Sequence, residues 1–277
     1  MEIDSNGVRF HYQKQGSGKY TLLFIHGSFI DSSYWEEQVK FFSKDYTTIS
    51  VDLPGHGRSA NISKHYTFQN VAESLATFIT SLRLDNIILV GHSMGADIAL
   101  EIAVRYSSGI IGFVGVDYFK MAGTPFPKEM EEEIHKILKG LETNFAETNE
   151  QYVKKVLVTE ATDQAIVDRI VNAYKNADPS IAIPLIKNTF TNPLRQRELL
   201  QDLEFRLHLI NSDYMPIQED PLKQYCQSGF EVREIHGTSH YPMLEKSEEF
   251  NHILATIIDK IIMENVSKVK LQQEASK

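Results

Sequence analysis

Residues 91–95 read Gly91-His92-Ser93-Met94-Gly95, directly after the apolar run 86–90 and directly before the helical stretch 96–106. This is G-x-S-x-G in a strand–turn–helix context. The paired glycines leave room for a crowded turn whose central residue is forced into a strained backbone conformation. The hydroxyl of Ser93 is then held out at the head of a helix, where it can attack an electrophilic carbon. A tight turn that merely needs small residues is the plainer alternative, and the flanking strand and helix favour the nucleophile.

A serine hydroxyl is a weak nucleophile at neutral pH and needs a base within hydrogen-bond reach, itself oriented by a carboxylate. The base candidate is His240, on the loop Gly237-Thr238-Ser239-His240-Tyr241-Pro242 after the last strand signal and before the final helix. His236 competes but abuts the strand. Two histidines four apart suggest a metal pair only on a helix, and Gly237 in a loop removes that spacing, so no metal is expected. The acid candidate is Asp213, just past a strand end, where parallel sheets place functional groups. Asp117, also at a strand end, is its rival, and a solvated turn residue is the bland reading of both. Charge developing on a substrate oxygen needs N–H donors. The N–H of Met94, at a helix N-terminus, supplies one. The N–H of Ser28, in His26-Gly27-Ser28-Phe29, is expected to supply the other, with Phe29 as second choice.

These residues must be positioned by a scaffold, and the first half of the chain alternates short apolar runs with helical patterns, as parallel strands joined by helices do. Strands are expected at 8–13 (as an edge), 20–25, 47–51, 86–90 and 110–116. A helix is expected at 68–82, where Val71, Leu75, Phe78, Ile79 and Leu82 recur at helical spacing. After Asp117 the pattern turns helical, with Met130, Ile134, Ile137, Leu138 and Leu141 on one face. Residues 118–202 therefore read as an all-helical lid inserted into a core of residues 1–117 and 203–265. Phe119, Met121, Phe126, Met130 and Phe145 are its candidate pocket residues. Strand signals return at 205–210 and 230–235. A helix at 247–264 closes the fold, and 266–277 reads as a frayed polar tail.

The chain has 277 residues, 42% of them hydrophobic, enough for one sizeable α/β core. A net charge of −9 argues against nucleic acid or an anionic membrane as partner. One cysteine, Cys226, fits a reducing compartment. The N-terminal residues lack the charged and apolar regions of a secretory signal, and no apolar run approaches the roughly 20 residues of a membrane helix. A cytoplasmic, cofactor-free protein with a small-molecule acyl substrate is expected; its oligomeric state is not legible.

Taken together, His26-Gly27, Asp52-Leu53-Pro54-Gly55-His56-Gly57-Arg58-Ser59, Gly91–Gly95, Asp213 and the segment 237–245 resemble the α/β-hydrolase superfamily, and its lidded serine hydrolases in particular. The resemblance implies an eight-stranded, mostly parallel sheet with the lid over the C-terminal strand ends. It also implies the chain order Ser, Asp, His and hence a Ser93–Asp213–His240 triad forming an acyl-enzyme with Ser28 and Met94 at the oxyanion. Asp52, His56, Arg58 and His92 read as structural. Ala96 departs from the glycine usual in the family. Asp97, one turn beyond Ser93, reads as a solvated or hydrogen-bonded helix residue, with a modulator of the site as the sharper reading. The implied activity is hydrolysis of a small or medium apolar ester, thioester or lactone. C–C bond hydrolysis, peptidase or acyl-transfer chemistry on the same triad, and a slow-turnover ligand-binding or signalling protein, are the alternatives.

Overall fold

The computed structural model describes the backbone of residues 1–61, 65–191 and 193–275. Eight strands form one sheet: β1 (Glu2–Ser5), β2 (Val8–Gln15), β3 (Thr21–Ile25), β4 (Thr47–Val51), β5 (Ile87–His92), β6 (Ile110–Val116), β7 (Leu207–Ser212) and β8 (Phe230–Ile235). Their spatial order is β1-β2-β4-β3-β5-β6-β7-β8. β3 to β8 run parallel, while β2 lies antiparallel between β1 and β4.

The chain moves from β3 to β4 on one side and then crosses to β5 on the other. The order thus reverses between β3 and β5, and the loops that follow these two strands open on a shared crevice. Open α/β sheets bind ligands at such a switch point. Side chains alternate across the sheet, as a period of two requires. Leu23, Ile25, Ile87, Leu89 and Phe113 enter one apolar core, whereas Leu22, Phe24, Ile88, Val90 and Val114 enter the other. Fully burying each such side chain is worth about 1.5–3 kcal/mol, so both faces must be covered.

The covering helices of the core are α1 (Glu36–Phe42), α2 (Phe68–Ser81) and α3 (Met94–Arg105). Between β6 and β7 come α4 (Lys128–Thr143), α5 (Phe145–Tyr152), a π-helical turn (Val153–Leu157), α6 (Gln164–Asn176), α7 (Pro179–Thr191) and α8 (Pro193–Asp202). No strand interrupts this stretch among the described residues. The remaining helices are α9 (Glu219–Tyr225), α10 (Pro242–Glu245) and α11 (Ser247–Ala275). The inserted helices are continuous with the core: Leu141, Ile170 and Tyr174 pack in the cluster that holds Phe24 and Trp35. No described helix is long and apolar enough to cross a membrane.

Two expectations need correction. The strand at residues 8–13 is not an edge, because β1 pairs outside it. The pairing Ser5↔Val8 leaves Asn6 (φ 48°) and Gly7 (φ 82°) as a two-residue hairpin turn, and Asn-Gly is the sequence signal for such a turn. The closing helix does not stop at Glu264 but runs through Ala275, carried by the good helix formers Lys, Leu, Gln and Glu. The last residues of the expected tail, 276–277, lie outside those described.

Candidate active site

Ser93 sits between β5 and α3 with φ 52° and ψ −123°, a left-handed position that costs a non-glycine residue of order 1–3 kcal/mol. The surroundings hold it there. Its N–H donates to the Val116 carbonyl on β6 (3.1 Å), and its carbonyl accepts from the Ala96 N–H (2.8 Å). The elbow passes so close to β3 that a β-carbon on Gly95 would lie 2.5 Å from the carbonyl oxygens of both Ile25 and His26. Only glycine fits that approach, and it is what lets α3 begin at the strand ends.

The imidazole of His240 reaches the same corner. Its Nδ1–H donates to Asp117 Oδ2 over 2.6 Å, which fixes the tautomer and leaves Nε2 as the basic nitrogen. Its backbone is pinned on two sides. The His240 N–H donates to the Leu157 carbonyl (3.1 Å), and its carbonyl accepts from His92 Nε2–H (2.8 Å). His92 lies beneath the elbow, and burial, together with the nearby His240 ring, lowers its pKa to about 3. It is therefore a neutral strut.

The carboxylate beside His240 is Asp117, not the expected Asp213. Asp117 ends β6 with φ 46° and is 2% exposed. Its Oδ1 accepts from the Ser212 N–H (3.0 Å), the Ser212 hydroxyl (2.5 Å) and Lys120 Nζ (2.8 Å). Burial would raise its pKa, but the bonds and charges of His240 and Lys120 outweigh it and hold the carboxyl well below the usual carboxylate range. Lys120 is itself buried, donating also to the Ser212 carbonyl (3.1 Å) with its ammonium 4.2 Å from the Tyr214 ring centroid.

Asp213 stands one residue past β7 and turns outward, its side chain 40% exposed. Its Oδ1 accepts from the Gly237 N–H (2.9 Å) and its Oδ2 from His236 Nδ1–H (3.1 Å). The structure therefore pairs Asp213 with His236 at the base of the loop, and Asp117 with His240 at its tip. A signal for this was present. Asp117 and Lys120 are charges set in the apolar stretch 110–122, where a buried charge demands partners, whereas Asp213 follows the polar pair Asn211-Ser212.

The donors expected at the oxyanion lie at the same crevice. Met94 is fully buried at the N-terminus of α3. The loop after β3 abuts the nucleophile: a β-carbon on Gly27 would be 3.2 Å from Ser93 Cβ. Ser28 is buried next to it, and Phe29 takes φ 61° with its ring 4.6 Å from that of Tyr174. His26 braces this loop, accepting the Leu53 N–H on Nε2 (2.9 Å) and donating from Nδ1 to the Gly27 carbonyl (2.8 Å). Asp52 ties neighbouring loops together, accepting from His11 Nδ1–H and from the backbone N–H groups of Ser32 and Arg58, each at 2.9 Å.

Ser93, Asp117 and His240 all line a cavity of about 680 Å³ between the strand ends and the inserted helices. Four of the five candidate pocket residues line it: Phe119, Met121, Phe126 and Met130. Phe145 instead packs edge-on against Phe29. A volume of this order suits a small molecule, and its walls are largely apolar. A serine aimed into such a space, beside an imidazole fixed by a buried carboxylate, can add to a carbonyl and pass its proton to Nε2.

Comparison with known proteins agrees with this architecture. Residues 22–253 match the model of the alpha/beta hydrolase family. Among curated relatives, (E)-2-((N-methylformamido)methylene)succinate hydrolase of Acinetobacter baylyi is 37% identical over 100 residues, covering 36% of this chain and 38% of that protein. The chain matches well under two thirds of the length of the first curated relatives. Among solved structures, a thermophilic esterase from Thermogutta terrifontis superposes with a TM-score of 0.79 at 19% identity, covering 94% of this chain and 98% of that one. An enol-lactonase from Burkholderia xenovorans gives 0.78 at 16% identity, covering 94% and 100%. At such identities the structural likeness speaks to fold.

Proposed function

Since this chain belongs to the alpha/beta hydrolase family, we propose that it is a serine hydrolase of small or medium apolar esters, thioesters or lactones, working through an acyl-enzyme on Ser93. The observation that carries the reading is the 2.6 Å bond from His240 to the buried Asp117, on the wall of the cavity into which the strained Ser93 opens. Ser93 attacks the substrate carbonyl as His240 Nε2 takes the hydroxyl proton. Asp117 keeps Nδ1 protonated and stabilises the imidazolium that forms. The N–H groups of Met94 and Ser28, with Phe29 as the alternative to Ser28, hold the oxyanion. Each such donor is worth about 3–4 kcal/mol in the transition state. His240 then returns the proton to the leaving oxygen or sulfur, and a water deprotonated by Nε2 releases the acyl group from Ser93.

Serine at the elbow, rather than aspartate, sets this chemistry apart from the haloalkane- and epoxide-opening branches of the superfamily. The residues 118–202 act as the lid, and the apolar walls of the cavity select the acyl chain. The test is hydrolysis of p-nitrophenyl esters with acyl chains of two to twelve carbons by wild type and Ser93→Ala. The reading expects multiple turnovers with a chain-length optimum, lost in the variant. A single burst, or turnover that survives the substitution, would contradict it.

A further inference from the structure

One turn along α3 from Ser93, about 6 Å of axial rise, the carboxyl group of Asp97 reaches the wall of the same cavity. It is 7% exposed, so it is not a solvated helix residue. Its Oδ2 accepts from the Tyr118 hydroxyl (2.6 Å) and its Oδ1 from Gln196 Nε2 (2.9 Å). Both donors are neutral, and they come from two elements besides its own: the segment after β6 and α8.

The cations on this wall are engaged elsewhere. Lys120 lies 2.8 Å from Asp117. Arg195, on α8, makes two 2.8 Å bonds to Glu101 and also reaches Glu198. Glu101, the next turn of α3, is further bonded by Arg105. From α4, Glu129 and Glu133 add negative charge at the exposed side. Among the described residues no cation stands within ion-pair distance of Asp97. Burial, with a smaller push from Glu101, raises its pKa to about 6 against the opposing bonds from Gln196 and Tyr118. Above that pH a negative charge with no cationic partner stands in the cavity wall one helical turn from Ser93.

We propose that Asp97 selects substrates by charge, so that the acyl chain lying along α3 is neutral or ends in a cation, and carboxylate-ended chains are rejected. This rests on the serine-hydrolase reading and specifies its substrate class. Two like charges about 6 Å apart at an effective dielectric constant near 20 repel strongly enough to give a discrimination of roughly 10- to 100-fold. A cationic end gains the matching attraction, offset in part by its own desolvation.

The experiment compares kcat/KM for three p-nitrophenyl esters of matched length: pentanoate, hemiglutarate and 4-(trimethylammonio)butyrate. The two charged esters are both hydrophilic, so the difference between them isolates the sign of the charge. At pH 8 the wild type is expected to disfavour hemiglutarate by about 10- to 100-fold against the other two. Asp97→Asn should shrink the difference between the anionic and cationic esters to the part left by the more exposed Glu129 and Glu133. Gln196 faces the substituted amide and could strain the variant, so wild type is also titrated. The hemiglutarate:pentanoate ratio should rise as pH falls through about 6, and the titration of the shared Ser93–His240 machinery cancels in that ratio. Equal rejection of both charged esters, or a ratio moved neither by pH nor by the substitution, would overturn the inference while leaving Ser93-dependent hydrolysis intact. Absence of Ser93-dependent turnover of pentanoate would overturn the hydrolase reading, and this inference with it.

Discussion

Substituting Asp117 by Asn separates the two candidate acids most sharply. The asparagine oxygen can still accept from Ser212 and Lys120, but its NH₂ then faces His240 Nδ1, which at present donates over 2.6 Å. The imidazole must turn that nitrogen into an acceptor and carry its proton on Nε2, where it can no longer take one from Ser93. The expected loss is about 10³- to 10⁴-fold in kcat, or about 4–5.5 kcal/mol of transition-state stabilisation. Stability falls too. Lys120 is 7% exposed and would lose its only carboxylate partner among the described residues, and breaking such a buried pair costs about 3–5 kcal/mol. The assay is steady-state p-nitrophenyl ester hydrolysis near neutral pH, with denaturant unfolding run alongside to fix the folded fraction. Asp213→Asn is the matched control. Its carboxylate is half exposed and among the described residues bonds only His236 and the Gly237 N–H, so kcat should stay within about two- to threefold of wild type. If Asp213→Asn proved the more damaging substitution per folded molecule, the assignment of Asp117 would be refuted.

Three further outcomes follow from the geometry. Asp97 titrates near pH 6 in the native state against about 3.8 unfolded, so the native form binds its proton more readily. Its ionisation therefore destabilises the fold above about pH 6, a penalty of roughly 3 kcal/mol that is relieved as pH falls toward 4. Wild type should gain about that much on Asp97→Asn between pH 8 and pH 4 in denaturant unfolding; a stability difference independent of pH would contradict it. Ser93→Gly should abolish turnover yet raise unfolding stability by about 1 kcal/mol, the relief of a φ of 52° less the entropy of an unfolded glycine. A melting temperature unchanged or lowered by the substitution would argue against strain at the elbow. Glu245 accepts from the Ser239 N–H (2.9 Å), the Ser239 hydroxyl and the Thr162 hydroxyl (3.1 Å), tying the loop before His240 to the inserted segment. Glu245→Ala should lower kcat about tenfold through misplacement of the imidazole, and an unchanged kcat would show that the other contacts of the loop suffice.

The sequence was most legible where local chemistry and packing demand the same thing. Gly91-His92-Ser93-Met94-Gly95 announces its turn because no other residue fits at Gly95, and the runs that became β3, β5 and β6 are largely apolar because the middle of the sheet is covered on both faces. The loop of His240 was legible from its place between β8 and α10. The acid was not. Asp117 and Asp213 close neighbouring parallel strands, and spacing along the chain cannot say which carboxylate turns inward. That depends on Ser212 and Lys120 gathering around Asp117 and on Gly237 drawing Asp213 outward. The setting of Asp97 was equally hidden, because Tyr118 and Gln196 reach it across 21 and 99 residues of chain. The β1 hairpin and the length of α11 were missed for another reason. Four-residue β1 has little apolar pattern of its own, and the end of α11 is held by helix propensity rather than by a buried stripe.

The central claim is that Ser93 carries the acyl group, and covalent trapping tests it most directly. A fluorophosphonate, or p-nitrophenyl butyrate quenched in acid during turnover, would be followed by peptide mass analysis. The account predicts one adduct per chain on the peptide that contains Ser93, absent in Ser93→Ala and formed far more slowly in Asp117→Asn. No adduct, or an adduct on another residue, would contradict it.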